Sequence, residues 1–189
     1  MKKIPAIFCF LAMLFINSAF DGYAQNNGEV LGELYVAGDA MFSMNIPAGW
    51  EIVDFGFQYQ IVRGPVDRDF APNITFAVEE YSGSLTEFMD EILTGIAVIY
   101  SDLKVEQRGR FRTNSGLRGE TVTIQGRINN LVVRQRLYCF RSRDRASVIN
   151  ITGTTVPVHG ERYDTVFDEC LKTFSWTRQP RQDGSTGRN

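Results

Sequence analysis

From Lys104 to Thr155 the chain alternates apolar and polar residues, the period of half-buried β-strands, and a run of this length must fold back on itself as neighbouring strands. Asn129-Asn130 is a credible two-residue turn within it, because asparagine tolerates positive φ. That turn pairs Ile128 with Leu131, Gly126 with Val133, Ile124 with Gln135, Val122 with Leu137 and Glu120 with Cys139, and this face is mostly apolar. The other face collects Arg127 with Val132, Gln125 with Arg134, Thr123 with Arg136 and Thr121 with Tyr138. A slip of one residue would turn each apolar set to the wrong side, so agreement between the two strands supports the register. The next turn, around Ser142 to Arg145, leaves the parity of Val148, Ile149 and Ile151 open.

Upstream, Met41 to Ile46, Phe55-Phe57-Tyr59-Ile61 and Ile74-Phe76-Val78 also alternate and predict strands. Pro47-Ala48-Gly49 breaks the first pair before Trp50 resumes the apolar pattern. Ser84-Leu85-Thr86-Glu87 has the form of a capping box and predicts a helix start. Leu85, Phe88, Ile92, Ile96, Ile99 and Leu103 then form a stripe at three- and four-residue steps. A second helix is expected after Pro157, with Tyr163, Val166, Phe167, Cys170, Leu171 and Phe174 on its apolar side.

At the N-terminus, Lys2 and Lys3 precede the apolar run Ile4 to Ile16, and Gly22-Tyr23-Ala24 supplies small residues before a cut between Ala24 and Gln25. Residues 1–24 therefore read as an export signal, which places the chain in the bacterial periplasm or outside the cell. Asn17, Ser18 and Asp21 close the run short of the roughly 20 apolar residues of a spanning helix, so no stable membrane span is expected after cleavage. Cys9 lies too early to be acylated as a lipoprotein anchor. Residues 25–32 suit a flexible leader, 33–176 a single domain, and 177–189, which hold no large apolar side chain, a disordered tail.

With a formal net charge of −2 the chain is mildly acidic, and nucleic acid is not an expected partner. Its basic residues are nonetheless sixteen arginines against four lysines, and ten of the arginines fall between Arg108 and Arg145. Arg108, Arg110 and Arg112 share parity in one strand, with Lys104 and Glu106 on the same side. If this row lies beside Arg134 and Arg136, the sheet carries a cationic strip suited to an acidic protein segment or an anionic headgroup. A solvated sheet face is the plainer alternative.

Catalytic signatures are absent from the sequence. His159 is the only histidine, which excludes histidine-rich metal sites, and no Gly-x-Ser-x-Gly, phosphate loop or dinucleotide fingerprint occurs. Asp67-Arg68-Asp69 starts a calcium-loop spacing that nothing completes. Glu79 and Glu80, neighbours at a strand end, point to opposite faces and cannot act as a paired acid and base. No catalytic residue, metal site or cofactor is assigned. Phe55, Phe57 and Tyr59 are the aromatics on which a small-ligand or lipid-binding alternative would draw; an unrecognised enzyme is the other alternative. Cys139 and Cys170 are the cysteines remaining after cleavage. An even count in an exported chain admits a disulfide worth about 3 to 4 kcal/mol by loop entropy, and equally two buried free thiols.

The segment Phe42-Ser43-Met44-Asn45-Ile46-Pro47-Ala48-Gly49-Trp50, followed by a capped helix, hairpin strands and a closing helix near Phe174, resembles the PsbP/Mog1/DcrB-like superfamily over roughly Leu34 to Trp176. The resemblance implies an α+β fold, an antiparallel β-sheet flanked by helices on both faces as an α/β/α sandwich. It also implies an accessory, assembly or binding role rather than catalysis. Members of that group assist the oxygen-evolving photosystem, bind a small GTPase, or sit in bacterial envelopes, one of them tied to phage entry. The matched positions are turn and core residues, so no functional residue carries over. The expected partner is an envelope protein whose identity the sequence leaves open, as it does the oligomeric state.

Overall fold

The computed structural model describes residues 30–177 apart from 39, 40, 57, 68 and 69. The expected signal and its Ala24–Gln25 cut, Phe57, Arg68, Asp69 and the tail from residue 178 lie outside the described residues. The elements run β1 (Leu31–Val36), β2 (Phe42–Pro47), β3 (Glu51–Val53), β4 (Ile61–Arg63), β5 (Asn73–Glu80), α1 (Leu85–Ile99), β6 (Ser101–Arg112), β7 (Arg118–Ile128), β8 (Leu131–Arg141) and β9 (Ser147–Thr155). A 3-10 turn at Pro157–His159, α2 (Gly160–Lys172) and β10 (Ser175–Trp176) complete the chain. Strand β1 starts at Leu31, so the last two residues of the expected leader belong to the fold.

The strands form a three-stranded sheet, β1-β2-β10, and a seven-stranded sheet, β3-β4-β5-β9-β8-β7-β6, with antiparallel pairing throughout. The β7–β8 hairpin has the register expected from its alternation, from Ile128 opposite Leu131 to Glu120 opposite Cys139, and Asn129 takes φ 53° in the turn. At the following turn the Ser142 N–H donates to the Ser147 carbonyl at 2.9 Å, and Arg145 adopts φ 63°. This sets Ile149 opposite Phe140 and Ile151 opposite Tyr138, resolving the parity the sequence left open.

Helix α1 begins with the expected box: the Glu87 N–H donates to Ser84 Oγ at 3.2 Å, and the Ser84 N–H donates to Glu87 Oε2 at 2.8 Å. Phe88, Met89, Ile92 and Ile96 are its buried residues. Leu103 is not part of the helical stripe, because the chain turns extended at Tyr100 and enters β6. The Tyr100 hydroxyl anchors that exit by donating to Gln135 Oε1 at 2.8 Å. Phe174 likewise lies past the end of α2, buried just before β10.

Two apolar clusters divide the core by strand parity. Phe88, Met89, Ile92 and Ile96 of α1 pack with Val122, Ile124, Val133, Leu137, Cys139 and Val148. Tyr163, Phe167, Cys170 and Leu171 of α2 pack with Tyr138, Phe140, Ile149, Ile151 and the β2 residues Phe42, Met44 and Ile46. Gly153 makes room for α2, since a Cβ there would stand 2.6 Å from the Phe167 ring.

Of the described residues in the strand expected over Phe55 to Ile61, only Ile61 lies in one, as the first residue of β4. Phe55, Gly56, Gln58, Tyr59 and Gln60 lie outside any strand; the Gly56 N–H donates to Asp54 Oδ1 at 2.8 Å with Gly56 at φ 75°, and this local turn ends the alternation before β4. The Pro47-Ala48-Gly49-Trp50 motif has a structural purpose. The Trp50 N–H donates to the Pro47 carbonyl at 3.1 Å, Gly49 takes φ 77°, and the indole meets Tyr163 and Phe167 edge-on at 6.1 and 6.2 Å.

Candidate interaction surface

The two groups of arginines singled out by the sequence lie on different faces. In β6 the pairing with β7 slips between Val105, opposite Ile124, and Gln107, opposite Thr123. This bulge inserts one residue and reverses the side on which everything after it falls. Arg108 therefore sits opposite Val122, whereas Arg134 and Arg136 sit opposite Gln125 and Thr123. The single cationic strip is replaced by two separate sets. Of the residues expected beside Arg108, Lys104 precedes the slip, opposite Gln125, and Glu106 is the residue inserted at it and pairs with Arg134.

Arg134, half-buried, and Arg136, buried, are committed to partners within the domain. Arg136 donates from Nε and Nη2 to the carboxylate of Asp168 at 2.8 and 3.0 Å, and from Nη1 to Thr123 Oγ1 at 2.8 Å. The Tyr138 hydroxyl donates to the same carboxylate at 2.6 Å. Burial works against the Arg136 charge, yet Tyr138 and Asp168 more than offset it and hold the guanidinium pKa above its ordinary value. Burial, with Asp168 second, keeps Tyr138 protonated far above the usual phenol range. Arg134 binds Asp164 at 2.6 Å and also pairs with Glu106; the Asp164 hydrogen bond is the main cause of its raised pKa. Asp164 and Asp168, four apart in α2, meet arginines two apart in β8, so this ladder docks the helix on the strand.

Arg108 is satisfied as well. It pairs with Asp90 of α1 and with Glu120 at 3.3 Å, and donates to the Thr86 carbonyl at 3.1 Å. Arg110 and Arg112 continue along its side of β6, and Arg118 of β7 stands directly opposite Arg112. All three are exposed, and no carboxylate among the described residues lies within ion-pair distance of them. Like charges directly across an antiparallel pair are destabilising, so this placement runs against the stability of the isolated domain. Arg118 escaped the sequence reading. The signal for it was the Asn114-Ser115-Gly116 turn, with Gly116 at φ 85°, which folds β6 back onto β7 and sets Arg118 against Arg112.

The remaining candidates have structural surroundings. His159 Nε2 lies 3.6 Å from Asp67 Oδ2, the Arg162 guanidinium also lies 3.6 Å from that oxygen, and the imidazole meets Tyr163 edge-on. Glu79 and Glu80 occupy adjacent positions at the end of β5. Tyr59 is buried against Phe42, ring centroids 5.4 Å apart, and Phe55 is half-buried. Cys139 and Cys170 are not bridged. Both are free and buried, Cys139 in the α1 cluster and Cys170 in the α2 cluster, so they belong to separate parts of the core. Burial pushes the Cys170 thiol up to about 12 and Cys139 in the same direction. Among the described residues no group of three or more His, Cys, Asp and Glu could hold a metal ion, and no helix is long and apolar enough to cross a membrane.

A mainly antiparallel pair of sheets with one capped helix inserted after β5 and a second closing the chain is the PsbP/Mog1-like fold. No protein-family model matches the sequence, and no curated protein matches it. Solved structures do resemble it. Cyanobacterial PsbP (CyanoP) from Synechocystis superposes with a TM-score of 0.58 at 15% identity, covering 82% of this chain and 98% of that one. The Ran-binding protein Mog1p of Saccharomyces cerevisiae gives 0.59 at 10% identity, with 77% and 96% covered. LpqN of Mycobacterium tuberculosis, involved in cell envelope biogenesis, gives 0.56 at 11% identity, with 78% and 93% covered. At these identities the likeness concerns the fold.

Proposed function

We propose that this chain is an exported, non-catalytic accessory protein of the bacterial envelope that acts by contact with another protein, through the surface formed by Arg110, Arg112 and Arg118. In this reading residues 1–24 are removed at the Ala24–Gln25 bond and the released domain works in the periplasm or outside the cell. Helices α1 and α2 close the seven-stranded sheet from opposite faces as an α/β/α sandwich, leaving strand edges and the ends of hairpins for recognition.

The observation that carries the proposal is the contrast among the arginines. Arg108, Arg134 and Arg136 are held by Asp90, Glu120, Asp164, Glu106 and Asp168, while Arg110, Arg112 and Arg118 share one exposed patch and make no ion pair among the described residues, Glu120 opposite Arg110 being engaged by Arg108. Guanidinium groups recognise carboxylates in bidentate geometry, so the patch suits an acidic region of a partner. The Ran-binding description of Mog1p and the envelope role of LpqN support a binding function on such a fold.

The test is quantitative affinity capture from the native envelope with the wild-type protein and with R110E/R112E/R118E. The reading expects one protein to be enriched by wild type and lost with the variant, which stays cooperatively folded although R110E sets a second carboxylate opposite Glu120. Equal enrichment by both proteins contradicts it.

A further inference from the structure

Strand β6 is the terminal strand of the seven-stranded sheet, so one of its edges has no neighbouring strand among the described residues. Along such an edge alternate backbone N–H and C=O groups await a partner. The first half of β6 is irregular, with shifts between Ser101 and Lys104 and between Val105 and Gln107. From Gln107 to Arg112 the pairing with β7 runs one to one, which makes this half a regular template of ordinary strand length.

Its two sides differ in chemistry. Arg108, Arg110 and Arg112 share one side, and Gln107, Gly109 and Phe111 share the other. At Gly109 no heavy atom lies within 4 Å of where a Cβ would project, leaving open space beside the half-buried Phe111 ring. Two such edges would set arginine rows against each other, which disfavours a second copy of this chain as the occupant.

Resting on the arginine-surface function above, we propose that the Gln107–Arg112 edge takes up an extended acidic segment of the partner protein as an additional β-strand. Carboxylates at alternate positions of that segment lie beside Arg110 and Arg112, and an apolar or aromatic residue of the opposite parity covers Gly109. Backbone hydrogen bonds supply the alignment and the side-chain alternation supplies the selectivity.

The probe is a fluorescent synthetic peptide of about eight residues, glutamate alternating with valine around a central phenylalanine. Its binding to the purified exported protein is followed by anisotropy at low salt. Three further peptides carry glutamine for glutamate, or N-methyl groups on one or the other set of alternate amides. The parent peptide is expected to bind. The glutamine peptide and one of the two N-methyl peptides should each lose about tenfold or more in affinity, the other N-methyl peptide retaining it, because a strand pairs through one edge only. R110E/R112E/R118E should lose the parent peptide while still unfolding in one cooperative transition, and R112Q/R118Q, which adds no carboxylate opposite Glu120, should weaken binding in the same direction.

If both N-methyl peptides bind like the parent, strand addition is overturned while the arginine surface stands. If the triple variant binds the parent as well as wild type does, the surface itself is wrong. Failure of the parent peptide to bind at millimolar concentration also overturns the proposal, and so does arginine-dependent binding to phosphatidylglycerol vesicles in place of the peptide.

Discussion

Arg136 grips Asp168 with two parallel hydrogen bonds, 2.8 and 3.0 Å long, across the boundary between β8 and α2. The same carboxylate accepts the Tyr138 hydroxyl, so the closing helix is fixed to the sheet by a polar contact inside an otherwise aromatic cluster. The stable arginines of this protein hold its architecture, and that separates them from those left for recognition.

Replacing Arg136 by methionine leaves Asp168 and Tyr138 without their shared donor. Loss of one partner from a buried pair costs more than the pair is worth, and partial exposure of Asp168 moderates the penalty to about 2 to 3 kcal/mol. R136M/Y138F/D168L should lose less than R136M alone, since neither a charge nor the Tyr138 hydroxyl is then left buried without a partner. Urea denaturation of the two variants, with R110A as an exposed reference within about 0.5 kcal/mol of wild type, checks this.

At Gly153 the requirement is for space. A methyl group there would meet the Phe167 ring at 2.6 Å, and α2 is also held by the Arg134 and Arg136 ion pairs. G153A is expected to destabilise by about 1 to 3 kcal/mol through overpacking. Thermal or chemical denaturation measures it, and the conservative double change G153A/F167L should recover part of the loss.

The thiols give a chemical prediction. Cys139 and Cys170 are free and buried, with thiol pKa values raised by burial, so little thiolate is present at pH 8. Exported protein starting at Gln25 should react negligibly with a disulfide reagent when native, and should titrate as two thiols in denaturant without reductant. A chain that yields no thiols under those conditions contains a bridge and contradicts the arrangement.

Glu79 opposes the fold at neutral pH. Burial, and then the Glu91 charge, raise its pKa from the ordinary value of 4.5, so the native state holds its proton to a higher pH than the unfolded chain does. Stability is thus lost as pH rises from 4.5 through the raised native value, and below that window the penalty disappears. E79Q should stabilise the protein at pH 7 by less than about 1 kcal/mol after solvent screening, with the difference from wild type vanishing near pH 4. Melting temperatures across that range show whether it does.

The hairpin register could be read from the sequence because two independent alternations had to agree about one Asn129-Asn130 turn. The Ser84 cap was equally legible, being a local exchange of hydrogen bonds between residues three apart. The arginine strip was not. Parity counted along Lys104 to Arg112 assumes a regular strand, and one inserted residue between Val105 and Gln107 sent Arg108 and Arg134 to different faces. Strand periodicity also misled at Phe55 to Tyr59, where Asp54 and Gly56 close a turn that competes with extension. The internal pairing of Arg134 and Arg136 had a readable trace in Asp164 and Asp168, a four-residue step on one helical face matched to a two-residue step on a strand.

Site-specific photo-cross-linking in living cells addresses the recognition surface directly. A photoreactive amino acid placed at Arg112 is compared with one at the exposed Glu161 on α2, with and without R110E/R118E. The arginine-surface account predicts a discrete adduct with one envelope protein from position 112, weakened by R110E/R118E and absent from position 161. The same adducts from both positions, or none from position 112, would contradict it.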